Sequence, residues 1–280
     1  MNAAPTTPAS PMMPNAAVIG SSAWLDAIVC GDNVEVLSGL PDACIDLTVT
    51  SPPYDDLRIY GGHSWNFEAT AAQLLRVTKP GGVLVWVVAD KTVDGSESGT
   101  SMEQALHFKR IGWRLHDTMI WNKYLPGLYG KRYTHAWEYM FVLAKGEPKA
   151  WNPILRRNTT SGQRGATCRN KDGAQLTGRA YVEKDSESIE ENVWRIPVGG
   201  GRTSTDGSRH PAAFPETLAS RHVVSWSNVG DVVLDPFAGS GTTIKAAHEL
   251  NRRYLGIEIN PEYVDTIKKR LEQGAMPLGV

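Results

Sequence analysis

Apolar and polar positions along this chain follow two different periods, one typical of strands and one typical of helices. Short apolar runs predict strands, among them VLVWVVAD, LHDTMIWNK, WEYMFVLAK and RRYLGIEIN. Apolar residues three or four positions apart predict helices in FEATAAQLLRV, which Pro80 and two glycines should end, and in MEQALHFKRIGW, PAAFPETLASRHVVSW and TIKAAHELN. Strands and helices that alternate along a chain are typical of an α/β fold.

Two stretches depart from this pattern. The polar, glycine-rich residues 91–101 predict a mobile loop. Residues from about 145 to 209 are rich in Arg, Lys, Gly, Asn and Thr, and a long irregular insertion is expected there. Between Leu155 and Arg179, Asp172 is the sole acid, whereas the basic residues are Arg156, Arg157, Arg164, Arg169, Lys171 and Arg179. A short charge run would be interpreted as a solvated loop, but a run this long favours a functional segment.

Composition limits the classes of function. The 280 residues carry a formal net charge of -1, so nucleic-acid binding would have to depend on a local basic patch. Cys30, Cys44 and Cys168 have no metal-site or disulfide spacing, which favours a reducing cytoplasm. Residues 1–22 lack the pattern of a signal peptide and predict a disordered tail. No apolar run is long enough to span a bilayer, so no membrane association is expected.

A rigid corner follows the strand-like run CIDLTVT. It consists of Ser51, Pro52, Pro53 and Tyr54. Proline lacks a backbone N–H and has a restricted φ, so two consecutive prolines cannot continue a central strand. The chain must therefore leave the sheet here in a stiff turn, with a hydroxyl before the prolines and an aromatic ring after them.

A second candidate site is the strand, turn and helix predicted from VVLDPFAGSGTTIKAAHEL. Gly239 and Gly241 would let the backbone approach a ligand closely. Ile244 occupies the place of the third glycine of a dinucleotide fingerprint, and the turn lacks a P-loop lysine. The turn therefore suits a nucleoside with a compact zwitterionic tail. Glu258 ends the next predicted strand, where an acid can hold ribose hydroxyls. Taken alone it would be interpreted as a surface carboxylate, but its combination with the glycine turn favours the ribose role.

Taken together, these segments resemble the amino-directed DNA methyltransferases. SPPY resembles their catalytic motif, DPFAGSGTT with GIEIN resembles their cofactor site, and KPGG and HPAAFPETL match further family segments. The resemblance extends from Ile28 to Leu271, and the order of the motifs is that of the β class. It implies a Rossmann-like class I methyltransferase fold with a mostly parallel sheet. The implied divisions are a catalytic half at 23–145, a target-recognition insertion at 146–209 and a cofactor-binding half at 210–280.

The resemblance also implies a role for each site residue. Ser51 Oγ and the Pro52 carbonyl would accept hydrogen bonds from the target amino group, Pro53 would stiffen the corner, and Tyr54 would stack on a flipped-out base. S-adenosyl-L-methionine would be the cofactor, and no metal is required. Its binding residues would be Asp32, Asp235, Phe237, Gly239, Gly241, Glu258, His210, Ala212 and Phe214. Asp32 could instead cap a helix, since Asp is well suited to that position.

Double-stranded DNA is the implied substrate. Its contacts would come from Arg156, Arg157, Arg164 and Arg169, with Arg132 and His135 as further candidates. Adenine N6 is narrowly favoured as the target over cytosine N4. The resemblance also implies a homodimer, and it leaves open whether a partner endonuclease exists. The expected location of this bacterial or phage-encoded protein is cytoplasmic, and nucleoid-associated while it acts. RNA methylation, protein-glutamine methylation, a non-catalytic cofactor sensor and a nicotinamide dehydrogenase are less favoured alternatives.

Overall fold

A computed structural model describes residues 24–53, 65–123, 133–159, 161–169, 172, 174–198 and 214–274. Five expectations concern residues outside these ranges: the tail at 1–22, Tyr54, Arg132, His210 and Ala212. The chain divides into two compact units. One comprises residues up to Trp151 together with those from Val193 onwards, and the other comprises Asn152–Asn192.

The described residues form strands and helices that follow one another as the sequence pattern predicts. The strands are β1 (Ala27–Cys30), β2 (Ile45–Thr50), β3 (Thr78–Val88), β4 (Thr92–Val93), β5 (Ser96–Glu97), β6 (Arg114–Asn122), β7 (Trp137–Ala144), β8 (Leu155–Arg157), β9 (Gly162–Arg169), β10 (Gln175–Val182), β11 (Glu187–Ile189), β12 (Val193–Arg195), β13 (Val232–Asp235) and β14 (Arg253–Glu258). The helices are α1 (Asn33–Ser38), α2 (Phe67–Val77), α3 (Thr100–Ile111), α4 (Glu216–Trp226), α5 (Thr242–Glu249) and α6 (Pro261–Gly274).

The larger unit is built on an eight-stranded sheet with the order β1-β14-β13-β2-β3-β7-β6-β12. The first five strands in this order, from β1 to β3, are parallel to one another. Within this sheet, β7 pairs antiparallel, with β3 on one side and β6 on the other. The mostly parallel α/β sheet inferred from the sequence is therefore confirmed. Because β1, β14, β13 and β2 are parallel, their carboxyl ends lie along one edge, where ligands of such sheets bind.

The core is centred on β3, because every residue from Val83 to Val88 is buried. A central strand covered on both faces has this continuous apolar pattern. On α2, Ala71, Leu74 and Val77 recur at helical spacing and are buried against the sheet. Trp86 is fully buried, and its indole Nε1 donates a hydrogen bond to Gln104 Oε1 at 2.8 Å. That bond satisfies a polar group that would otherwise be costly to bury.

The structure differs from the sequence expectation in its loops and boundaries. Helix α2 ends at Val77, and the KPGG segment already belongs to β3, so Pro80 lies beyond the helix end. Residues 91–101 contain the short β4–β5 hairpin and the start of α3. There, Ser98 and Ser101 donate hydrogen bonds to the Asp90 carboxylate. The sequence pattern missed both features because two-residue strands and side-chain turns leave no periodic signal.

The smaller unit has secondary structure of its own, although a long irregular insertion was expected. Strands β8 and β11 pair antiparallel, and so do β9 and β10. Asn158 is buried, and its side-chain amide donates to Ser186 Oγ at 3.0 Å and Ser188 Oγ at 2.8 Å. The unit covers a shorter stretch of chain than the insertion expected at 146–209. Its range ends at Asn192, because β12 pairs with β6 in the main sheet. Among the described residues, no helix is long and apolar enough to cross a lipid bilayer.

Helix α6 packs directly on the glycine turn that follows β13. A Cβ at Gly241, whose φ is +81°, would lie 2.8 Å from both Ile267 Cγ1 and Ile267 Cγ2. Arg270, one turn further along α6, donates to the carbonyl of Ser240. The sequence predicts that Gly241 allows a close approach; in the structure the closely approaching group is the Ile267 side chain.

Gly241→Ala should therefore lower the free energy of unfolding by roughly 2–4 kcal/mol, since a positive φ and a steric overlap both contribute. Gly230→Ala is the matched control, because Gly230 has a φ of +86° and nothing within 4 Å of its added Cβ. Denaturant unfolding of both variants measures the difference. Equal destabilisation of the two variants would contradict the tight Ile267 contact.

Candidate active site

The Ser-Pro-Pro corner and the glycine turn leave the sheet from neighbouring strands. Strand β2 pairs in parallel with β13, with Leu47 opposite Val233 and Thr48 opposite Leu234. Ser51 and Pro52 directly follow β2, and Pro52 is buried whereas Ser51 is half-buried. The sequence alone could not establish this neighbourhood, because more than 180 residues separate the two strands.

A buried hydrogen bond joins the ends of these two strands. Thr50 Oγ1 donates to Asp235 Oδ1 at 2.7 Å, and Asp235 is only 2% exposed. The same carboxylate oxygen accepts from the backbone N–H of Phe237 at 3.1 Å. At the start of α5, Thr243 Oγ1 donates to the carbonyl of Val49 at 3.1 Å. The residue before the corner is thereby fixed to the residue before the glycine turn.

Burial also affects the charge of Asp235. It raises the pKa of this carboxyl from 3.8 to about 6, although the hydrogen bonds from Thr50 and Phe237 act in the opposite direction. The sequence-based assignment placed Asp235 among the cofactor-binding residues. Its observed contacts are internal ones that hold the turn, and its part in cofactor binding stays a prediction.

Glu258 supports the glycine turn from the neighbouring strand β14. Its Oε2 accepts from the backbone N–H of Gly239 at 2.7 Å, and its Oε1 accepts from that of Asn260 at 2.9 Å. Gly239 has a φ of +52°, a conformation that glycine adopts without strain. Burial raises the pKa of Glu258, and the backbone hydrogen bonds lower it. Glu258 is therefore fixed in place at the sheet edge, as its predicted position at the end of a strand indicates.

Asp32 follows β1 and caps α1. Its Oδ1 accepts from the backbone N–H groups of Val34 at 2.9 Å and Glu35 at 3.1 Å. The capping role that the sequence offered as an alternative is therefore confirmed. Asp32 also lines a surface cleft of about 530 Å³, together with Val34, Trp65, Asn66, Phe67, Glu68 and Ala69. Capping and ligand binding are compatible, because a carboxylate has four lone-pair sites.

The cleft adjoins the glycine turn through aromatic rings. The ring of Phe237, which belongs to that turn, lies 5.1 Å from the ring of Trp65 in an edge-to-face arrangement. Trp65 in turn lies 5.9 Å from Phe67 and 6.2 Å from Trp86. Sequence reasoning missed Trp65 and Phe67. The available signal was a pair of aromatic residues flanking Asn66, the N-cap of α2.

The remaining predicted site residues have different surroundings. Phe214 is buried two residues before α4, whereas its predicted neighbours His210 and Ala212 lie outside the described residues. His135 precedes β7 and lies 5.1 Å from the ring of Trp137.

Arg156 and Arg157 form ion pairs within the smaller unit, with Glu191 at 2.7 Å and Asp185 at 3.1 Å. A phosphate contact would have to compete with those carboxylates. Arg164 and Arg169 belong to β9.

Comparisons with known proteins agree with this arrangement. A family model described as DNA methylase, for N6- and N4-methyltransferases, matches residues 45–269. The chain is 49% identical over 238 residues to the orphan methyltransferase M.BamHII of Bacillus amyloliquefaciens, covering 82% of this chain and 90% of the relative. It is 28% identical over 287 residues to the type II methyltransferase M.SmaI of Serratia marcescens, covering 87% and 90%.

Solved structures show the same fold. A DNA modification methylase of Thermus thermophilus, in complex with S-adenosyl-L-methionine, has a TM-score of 0.57 and 26% identity, covering 88% of this chain and 93% of that one. The cytosine-N4-specific PvuII DNA methyltransferase has a TM-score of 0.64 over 91% of this chain and 87% of its own. At 20% identity, the latter likeness concerns the fold alone.

The charge of Asp235 has a measurable consequence for stability. Because its pKa is higher in the folded protein, the folded state binds more protons between pH 3.8 and about 6. The free energy of unfolding should therefore fall as pH rises through this window, relative to Asp235→Asn, which keeps an acceptor oxygen and does not titrate. Unfolding curves at several pH values measure the difference, with the exposed Asp265→Asn as control. A wild type that gains stability relative to Asp235→Asn as pH rises would contradict the assignment.

Proposed function

This chain belongs to the family of N6- and N4-directed DNA methylases, and from that premise we propose that it methylates the exocyclic amino group of a base flipped out of duplex DNA. As a member of this family it is a DNA methyltransferase that depends on S-adenosylmethionine. The observation that carries the proposal is the Thr50–Asp235 hydrogen bond of 2.7 Å, which joins the end of β2 to the end of β13. A catalytic corner and a cofactor turn must be adjacent for methyl transfer to occur between them.

The residues present at the sheet edge fit the cofactor. Asp32 and Glu258 supply carboxylate oxygens for amino and hydroxyl groups, and Trp65 and Phe67 supply aromatic surface in the cleft beside Asp32. We assign the adenosine part of S-adenosylmethionine to this cleft and the ribose hydroxyls to Glu258. The cleft volume of about 530 Å³ is within the usual range for small-molecule sites. When bound, the cofactor supplies an electrophilic methyl group on a sulfonium centre.

Ser51 and Pro52 act on the target nitrogen. The lone pair of an exocyclic amine is delocalised into the ring, so the amine is a weak nucleophile. Hydrogen bonds from its two N–H groups to Ser51 Oγ and the Pro52 carbonyl favour a pyramidal nitrogen with a localised lone pair. The prolines restrict the backbone, so these acceptors are oriented before the base arrives. The bound cofactor would supply the methyl group and its sulfonium would leave as a neutral thioether, while the target nitrogen held by Ser51 and Pro52 would release one proton.

The target has to leave the duplex, because a stacked base does not expose its amino group to such a corner. Base flipping by methyltransferases is an established strategy. The proposal covers both amino-directed reactions: adenine N6, which the sequence narrowly favours, and cytosine N4. Ser51 Oγ can accept a hydrogen bond from either amino group.

The proposal is tested by incubating the protein with tritiated S-adenosylmethionine and, separately, duplex DNA, RNA and bulk protein. Digestion of the labelled DNA and mass spectrometry of its nucleosides then identify the methylated base. Label in duplex DNA as N6-methyladenine or N4-methylcytosine is the expected result. Label confined to RNA or to protein glutamine would overturn it. The homodimer and the cytoplasmic, nucleoid-associated location stay predictions, and the sequence makes no prediction about a partner endonuclease.

Ser51→Ala should reduce methyl transfer by about 100-fold or more, since it removes one preorganised acceptor for the target amine. Affinity for S-adenosylmethionine should be nearly unchanged, because Ser51 acts on the base. Single-turnover transfer and calorimetric titration separate the two effects. Ser38→Ala, at the exposed end of α1, is the matched control. Full turnover in Ser51→Ala would exclude this role.

Glu258→Gln should weaken S-adenosylmethionine binding by about 1–3 kcal/mol, the scale of a lost charge-assisted hydrogen bond. The amide keeps one acceptor oxygen, so part of the support for the Gly239 N–H survives. Calorimetric titration measures the change, with Glu262→Gln, an exposed acid in the first turn of α6, as control. Equal affinity in the wild type and in Glu258→Gln would remove Glu258 from the proposed site.

A further inference from the structure

The smaller unit contains a two-stranded antiparallel ribbon with faces of different composition. Strands β9 and β10 pair over eight positions, from Arg169 opposite Gln175 to Gly162 opposite Val182. In such a ribbon, directly opposite residues share a face, and the face alternates at each step along the strand. The register therefore assigns every residue of the ribbon to one face or the other.

One face contains nearly all of the polar residues. Its pairs are Arg169 with Gln175, Thr167 with Thr177, Gly165 with Arg179, and Gln163 with Tyr181. The other face has Cys168 opposite Leu176, Ala166 opposite Gly178, and Gly162 opposite Val182. Its single charged residue is Arg164, opposite Ala180. We call the first of these the polar face of the ribbon.

The polar face has the composition of a nucleic-acid reader. No acidic residue occupies any of the sixteen positions of β9 and β10. Arg pairs with guanine, Gln pairs with adenine, and Thr contacts several bases in the major groove. The β8–β11 strand pair of the same unit differs from the ribbon, because its arginines have acidic partners. There, Arg156 and Arg157 already pair with Glu191 and Asp185.

The dimensions of the ribbon also suit DNA. The major groove admits a two-stranded β-ribbon. Same-face positions along an antiparallel strand are about 6.8 Å apart, which is close to two base-pair steps of about 3.4 Å. The four pairs of the polar face thus extend over about 20 Å, or roughly six base-pair steps.

We propose that the polar face of the β9–β10 ribbon enters the major groove and selects the recognition sequence. Arg169 and Arg179 read guanine, and Gln175 reads adenine. This inference rests on the proposed function and names the residues that determine its specificity. It also separates two arginines of the same strand: Arg169 is on the polar face, and Arg164 is on the opposite face.

The test uses the full chain and a library of duplex DNA with randomised sequence. The wild type and the variants Arg169→Ala, Arg179→Ala and Arg164→Ala methylate the library, and long-read sequencing maps the modified positions. Arg169→Ala and Arg179→Ala should each relax the preference at one base pair by roughly 5- to 150-fold. Arg164→Ala should leave the sequence preference unchanged. Arg169→Lys, which keeps the charge without the bidentate geometry, should lose the same preference as Arg169→Ala.

Each result has a distinct meaning. An unchanged sequence preference in Arg169→Ala and Arg179→Ala overturns the assignment of recognition to the ribbon. The proposed function survives that result as long as the wild type methylates DNA. A relaxed preference in Arg164→Ala equal to that in Arg169→Ala overturns the assignment of faces. A wild type that methylates no DNA removes the proposed function and this inference with it.

For a variant that no longer methylates, DNA binding is measured instead. The duplex that carries the wild-type recognition sequence and a scrambled duplex compete for the variant. Loss of discrimination with intact S-adenosylmethionine affinity supports the inference. Retained discrimination overturns it. Arg164→Ala in the same assay controls for the loss of one positive charge.

Discussion

The hydrogen bond between Thr50 and Asp235 is the contact on which the arrangement of the sheet edge depends. It joins a hydroxyl at the end of β2 to a carboxylate at the end of β13, and both residues are buried. A buried carboxylate is costly unless it is hydrogen-bonded, so this partner cannot be removed without a penalty. Ser51 follows the end of β2 and Phe237 follows the end of β13, so this hydrogen bond fixes the starting points of both segments.

The glycine turn is held from two further directions. Glu258 accepts the Gly239 N–H from the side of β14, and Ile267 of α6 fills the space beside Gly241. Phe237, which belongs to the turn, contacts the ring of Trp65, and Trp65 lines the cleft. The proposed cofactor site is therefore assembled from separate parts of the chain, and the sheet brings these parts together because its parallel strands end at one edge.

In the smaller unit, the informative feature is how the charged residues are distributed. The antiparallel strand pair β8–β11 contains arginines that are already paired with carboxylates. The β9–β10 ribbon has no acid at any of its paired positions. A net charge of -1 for the whole chain is thus compatible with a concentrated basic segment. Charge distribution, more than total charge, determines where a polyanion binds.

The sequence by itself determined the alternation of strands and helices, the α/β class, the Ser-Pro-Pro corner and the glycine turn. These depend on local rules: apolar periodicity, the missing N–H of Pro52 and Pro53, and the conformational freedom of Gly239 and Gly241. It also placed Glu258 at the end of a strand, and it offered helix capping as one role for Asp32. Family motifs extended this local information to a proposed chemistry.

Only the tertiary structure decided which distant residues meet. The bond from Thr50 to Asp235, the contact of Trp65 with Phe237 and the close approach of Ile267 to Gly241 link residues far apart in the chain. Strand register likewise assigned Arg164 and Arg169 to opposite faces, although both belong to one basic run. Local patterns constrain backbone conformation, whereas these pairings depend on how the whole sheet and its helices pack, which no short stretch of sequence encodes.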